Sequence, residues 1–129
     1  MDGYRELYAG KYCSIWASDK AIRKIRKATP ADRAKTKRYL EEFAENGHEN
    51  LNEKQFKFEG RYSSGGPNSK EIPVWAAKGN QLRIYGGEVE HDGKLLLCVE
   101  TTIKKQNKAN RSQLERVAKK VGDIQNGNE

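Results

Sequence analysis

The sequence predicts an α+β fold: a small antiparallel sheet of four to five strands, two N-terminal helices and one C-terminal helix, in a single domain spanning 1–129. Three observations predict it. Apolar residues recur at helical spacing in the first third and the last fifth of the chain, and at strand spacing in between. Capping signals, Ser18-Asp19 and Thr29-Pro30-Ala31-Asp32, mark two helix starts. A chain of 129 residues has room for one hydrophobic core but not for two.

Residues 11–17 (KYCSIWA) are rich in aromatic and β-branched types and read as a short strand. A helix follows near 19–28, with Ala21, Ile22, Ile25 and Ala28 on one face and basic residues on the other. A second helix runs from Pro30 to about Asn46; Thr36, Leu40, Phe43 and Ala44 form its inward stripe, and Gly47 stops it. From 54 the pattern alternates, with Phe56 and Phe58 pointing one way and Lys57 and Glu59 the other. Residues 62–71 read as a loop. Strands are expected at 72–78 and 81–86, joined through a short Gly79-Asn80 hairpin, and Pro73 suggests that the first of them starts late or lies on an edge. After an Asp92-Gly93 turn, 95–103 (LLLCVETTI) is expected to be the central strand. A last helix near 110–121 carries Leu114, Val117, Ala118 and Val121 at i, i+3, i+4, i+7. Residues 1–10 and 122–129 read as frayed tails, and all three helices are expected on one face of the sheet.

Charge narrows the functional class. Lys and Arg number 25 against 18 Asp and Glu, a net charge of +7, the footprint of a partner of opposite sign such as RNA. The excess is concentrated: Lys20–Arg38 holds nine basic residues against Asp32 alone, and 103–121 holds seven against Glu115 alone. No apolar run approaches a membrane span, and the first residues lack a signal-peptide core, so a cytoplasmic protein without a membrane partner is expected. Cys13 and Cys98 match no metal spacing and read as small buried hydrophobes of a reducing compartment rather than as a disulfide. His48 and His91 sit in loops and read as surface turn residues; no cofactor motif and no metal site is expected.

Alternation along 81–86 puts Arg83 and Tyr85 together on a polar face, where a guanidinium could grip phosphate through two donors and a phenol could stack on a base or donate its hydroxyl. A solvated sheet face explains the same pattern without function. Lys104 and Lys105 end the central strand, and Lys57, Arg61, Lys78, Lys108 and Arg111 are further candidates for contacts to RNA.

The run 82–121, LRIYGG…LLLCVETTIKKQNKANRSQLERVAKKV, resembles the C-terminal half of the HigB/RelE-like toxins of bacterial type II toxin–antitoxin modules, within the RelE/ParE superfamily and including phage-type relatives. Arg83, Ile84 and Tyr85, then Lys104 and Lys105, then Glu115, Ala118 and Lys119 carry the likeness. It departs from the family at 74–78 (VWAAK), where an arginine is expected and Lys78 is the substitute, in the length of 62–71, and in a tail without an aromatic or histidine ending. The resemblance implies a toxin that cuts mRNA without a metal, on the ribosome or free, and a cognate antitoxin as partner. Arg83, Tyr85, Lys104 and Lys105 would then be catalytic. Two alternatives stand beside it: a toxin of the same fold that inhibits another target such as gyrase or binds nucleic acid without cutting it, and a basic protein whose partner is only another protein.

Overall fold

A computed structural model of the chain describes residues 1–103 and 110–127. The elements are β1 (Tyr4–Ala9), β2 (Ser14–Ser18), α1 (Asp19–Ile25), α2 (Pro30–Asn46), β3 (Phe56–Ser63), β4 (Glu71–Lys78), β5 (Leu82–Glu90), β6 (Lys94–Ile103) and α3 (Arg111–Gln125). The strands form one six-stranded sheet in the order β1-β2-β6-β5-β4-β3, antiparallel throughout except where β2 runs parallel to β6.

The α+β class therefore holds, but the four- to five-stranded antiparallel sheet does not. The extra strand is β1, which lies in the segment expected to be a frayed tail. Its alternation is hidden because an edge strand is only half-buried and carries Arg5 and Glu6. The other tail is corrected too: α3 continues through Gly122 to Gln125, burying Ile124. Gly122 is no helix stop. A Cβ there would lie 2.5 Å from Ser64 Cβ, so glycine lets the 64–70 loop pack directly on the helix.

The helices do not share one face. α1 and α2 cover one side, with Ile15, Ala17, Leu40, Phe43, Leu82, Ile84 and Leu96 between them and the sheet. α3 covers the other, over Val74, Ala76, Tyr85, Leu95, Leu97 and Val99. The reason lies in β5 and β6: Leu82–Gly87 and Leu95–Glu100 are buried at every residue, so these strands need a layer on both faces.

Local signals act where the sequence places them. Ser18 Oγ accepts from the Ala21 amide and Thr29 Oγ1 from the Asp32 amide, starting α1 and α2. Gly47 ends α2 at φ +65°. Pro73 sits in an interior strand, but in the part that pairs only with β3, since the β4–β5 ladder begins at Trp75↔Gly86. Its missing amide therefore interrupts no ladder on the β5 side. Cys13 and Cys98 are buried thiols, unbridged, and burial pushes the Cys98 thiol up to about 12.

Candidate functional site

The α3 side of the sheet gathers three of the cations singled out from the sequence. Lys78 stands directly opposite Arg83 across β4 and β5, and Lys57 stands opposite Ala76, which puts it diagonal to Lys78 on the same face. Lys57 and Lys78 are half-buried. Burial pushes the Lys78 ammonium below the ordinary lysine range, and the charges of Arg83 and then Lys57 push it further; Glu59 and Glu53 pull back only in part. Glu59, whose side chain is 9% exposed, holds Lys57 at 3.8 Å.

Arg83 shares a face with Tyr85, as alternation requires, but that face is buried rather than open to solvent. It is 4% exposed, and its Nη1 donates to the carbonyls of Gly79 at 3.0 Å, Asn80 at 2.9 Å and Leu82 at 3.2 Å. It binds up the β4–β5 hairpin from within. Buried Asp32, in the first turn of α2, grips the same hairpin from the other side, accepting from the Asn80 and Gln81 amides at 3.3 and 3.0 Å. Tyr85 is 1% exposed inside the α3-side core, so it cannot stack on a base. Burial and then the Glu59 charge raise its hydroxyl to about 12, with Arg83 opposing, which keeps it protonated. The polar face expected here is thus a covered one, because α3 lies over it.

The Lys78–Arg83 row continues across the sheet to Thr102 on β6, which accepts from Gln113 Nε2 at 2.6 Å. Beside it, Glu100 is 5% exposed and receives Arg116 Nε at 3.1 Å and Lys120 Nζ at 3.4 Å. Burial alone would raise the Glu100 carboxyl, but Arg116, Lys120 and Gln113 together hold it below the usual carboxylate range. Glu100 therefore staples α3 to β6. Because a depressed carboxyl stabilises the fold only while ionised, Glu100→Gln should cost about 1–2 kcal/mol at neutral pH. The gap to the parent should close as pH falls through the carboxyl's folded range. Urea midpoints that coincide at pH 7 would contradict this.

At the end of that row, α1, β6 and Gln113 enclose a cleft of about 380 Å³, lined by Lys20, Arg23, Lys24 and Lys27 with Glu100 to Ile103. The four cations repeat at i, i+3, i+4 and i+7, one face of a short helix and the turn after it, where like charges oppose each other. Among the described residues none of the four is in an ion pair; Glu100 is taken by α3. Thr101 Oγ1 donates to the Ala21 carbonyl at 3.3 Å and Ser18 Oγ to that of Val99 at 3.2 Å, fixing α1 on β6. The sequence displayed this basic stripe but not the cleft, which needs β6 beside it.

The remaining candidates fall apart from the row. Arg111 opens α3, exposed and paired with Glu115 at 2.9 Å. Arg61 is exposed on the opposite face of β3, across from Pro73. Lys104, Lys105 and Lys108 lie outside the described residues. Among the described residues no cluster of His, Cys, Asp and Glu could hold a metal ion, and no helix is long and apolar enough to cross a membrane.

No family model matches this chain. Neither does any curated protein or solved structure.

Proposed function

We propose that the protein is a toxin-type, metal-independent endoribonuclease of the cytoplasm that cuts mRNA, free or on the ribosome, and is held in check by a cognate antitoxin. The observation that carries this reading is the juxtaposition of Lys78, Arg83 and Lys57 on one sheet face, with the Lys78 ammonium weakened by its surroundings. RNA cleavage of this kind needs a base for the 2′-hydroxyl and positive charge for the phosphorane. An ordinary lysine, with a pKa of ~10.4, is a poor base at neutral pH; a buried one among cations is a better one.

In this scheme Lys78 Nζ takes the 2′-hydroxyl proton as O2′ bonds to phosphorus. The Lys57 ammonium, positioned by Glu59, neutralises the charge on the phosphoryl oxygens. The P–O5′ bond then breaks, leaving a 2′,3′-cyclic phosphate, and the 5′-oxygen takes its proton from water. Arg83 acts through Lys78: it supplies the opposing charge and fixes the hairpin that carries it.

The α1 cleft provides a second patch of positive charge for the RNA backbone. Binding should weaken by an order of magnitude or more between 50 and 200 mM salt, since each neutralised phosphate contributes a slope of about −0.7 on single strands. Lys20→Glu with Lys24→Glu should weaken binding at least tenfold and flatten that slope, whereas Lys119→Glu, far along α3, should do neither. Affinity that is flat with salt would remove RNA as the partner.

One observation favours the alternative of a nucleic-acid binder without nuclease activity. Two of the residues that carry the family resemblance, Arg83 and Tyr85, are buried. Purified protein incubated with RNA in a chelator, with and without ribosomes, separates the readings: cleavage supports the nuclease, and salt-sensitive binding without cleavage supports the alternative.

A further inference from the structure

The face of β3 and β4 turned away from Lys78 carries rings that the core does not use up. Phe58, 43% exposed, meets Trp75 at 5.2 Å between centroids, and Trp75 meets His48 at 4.3 Å. Phe56 lies beneath, stacked on Trp75 at 5.3 Å and 12° and on Phe43 at 4.6 Å. The inner rings, Phe43 and Phe56, are buried; Phe58 and His48 are exposed, with the partly buried Trp75 between them, and the three form a strip at the surface. His48 Nε2 pairs with Glu88 Oε1 at 2.8 Å, which fixes its ring against Trp75.

We propose that this strip is a stacking platform for unpaired bases of the RNA, reached where the strand passes over the β3 edge from the Lys57–Lys78 site. The inference rests on the reading of RNA as partner. Three features favour a base over another occupant. A π-face stacks on any nucleobase without sequence preference, and the strip offers rings already held in place. Exposed Arg61 lies on the same face, opposite Pro73 and two residues from Trp75, while Lys57 lies on the other face of the same strand. Phosphates thus find cations on both sides of the edge. The Glu88 carboxylate at the far end disfavours a phosphate there and leaves that end to a neutral group.

A second copy of the chain fits less well. Each copy carries a net charge of +7, and β3 presents Lys57, Arg61 and a bulge between Phe58 and Gly60 at the edge where strands would have to pair.

Trp75 is itself the reporter. With Trp16→Phe, the only other tryptophan is removed, and Trp75 emission can be followed while a 2′-O-methyl RNA oligomer, which cannot be cut, is added. Strong quenching is expected with the oligomer, and little with an abasic backbone of the same length. Phe58→Ala should weaken binding on the order of tenfold, with the fold kept because the ring is exposed, and the loss should be absent for the abasic backbone. Equal quenching by both oligomers, or unchanged affinity in Phe58→Ala, overturns the platform. If labelled oligomer does not bind at all, the RNA reading falls with it; if it binds with undisturbed Trp75, only the platform falls. Concentration-dependent dimers that vanish in Phe58→Ala would assign the strip to a second copy and likewise overturn the proposal.

Discussion

Lys78→Met is expected to lower the rate of RNA cleavage by about 10²–10⁴-fold while leaving the fold and the affinity for RNA nearly intact. A general base is worth roughly that factor, and methionine keeps most of the lysine stem that packs on the sheet. The variant also removes a charge that Arg83 and Lys57 oppose, so its stability should not fall. The pH profile gives the same residue a signature. Cleavage by the parent should rise with pH as Lys78 loses its proton and level off below the ordinary lysine range, because burial and its two cationic neighbours lower its pKa. Lys57→Gln removes one of those neighbours and should shift the limb upward. A limb that stays in place in Lys57→Gln would mean that another group is titrating.

Arg83→Ala is expected to act on stability first. The side chain is buried and serves three hairpin carbonyls, so its removal leaves acceptors without that donor and a void at the β4–β5 turn. A loss of about 2–4 kcal/mol follows from the unsatisfied groups and the lost packing. Alternation alone reads the position as part of a polar, solvent-facing surface, where such a loss would not be expected. Chemical denaturation of Arg83→Ala and Arg83→Lys, beside parent protein, measures it. A midpoint within experimental scatter of the parent would show that the hairpin does not depend on the guanidinium. Loss of activity in a variant this unstable would say little about phosphate contact, which is why Lys78 is the sharper probe.

Much of the helical layer was legible in the sequence because it follows from short-range rules. Thr36, Leu40, Phe43 and Ala44 on α2, and Leu114, Val117, Ala118 and Val121 on α3, are buried as their spacing requires. The sheet was less legible. β5 looked one-sided because Arg83 and Tyr85 read as polar, yet a buried arginine that satisfies carbonyls reads the same in sequence as a solvated one. The strand is expected to stop at Gly86 but runs on to Glu90; a Cβ at Gly86 would lie 2.2 Å from the Leu97 carbonyl oxygen, so the close pairing there requires glycine.

The site depends on register, and register turned on one residue. A turn centred on Gly79-Asn80 would have set Lys78 against Gln81; the Gly79 amide instead donates to the Leu82 carbonyl, which centres the turn on Asn80-Gln81 and sets Lys78 against Arg83. Glu59 and Lys57 were correctly paired on one face by alternation, but nothing local says that Lys78 joins them. The α1 stripe was visible as a charge pattern, while its cleft belongs to β6, some eighty residues away in the chain.

The most direct test of the central claim, that Lys78 is the base of a metal-independent RNA cleavage, is a single-turnover assay in chelator comparing parent protein with Lys78→Met, on RNA with and without ribosomes. The expected result is cleavage by the parent to a 2′,3′-cyclic phosphate end, lost in Lys78→Met although the variant stays folded and binds the uncleavable oligomer as tightly. Cleavage by folded Lys78→Met at the parental rate, or no cleavage by the parent under either condition, would contradict it.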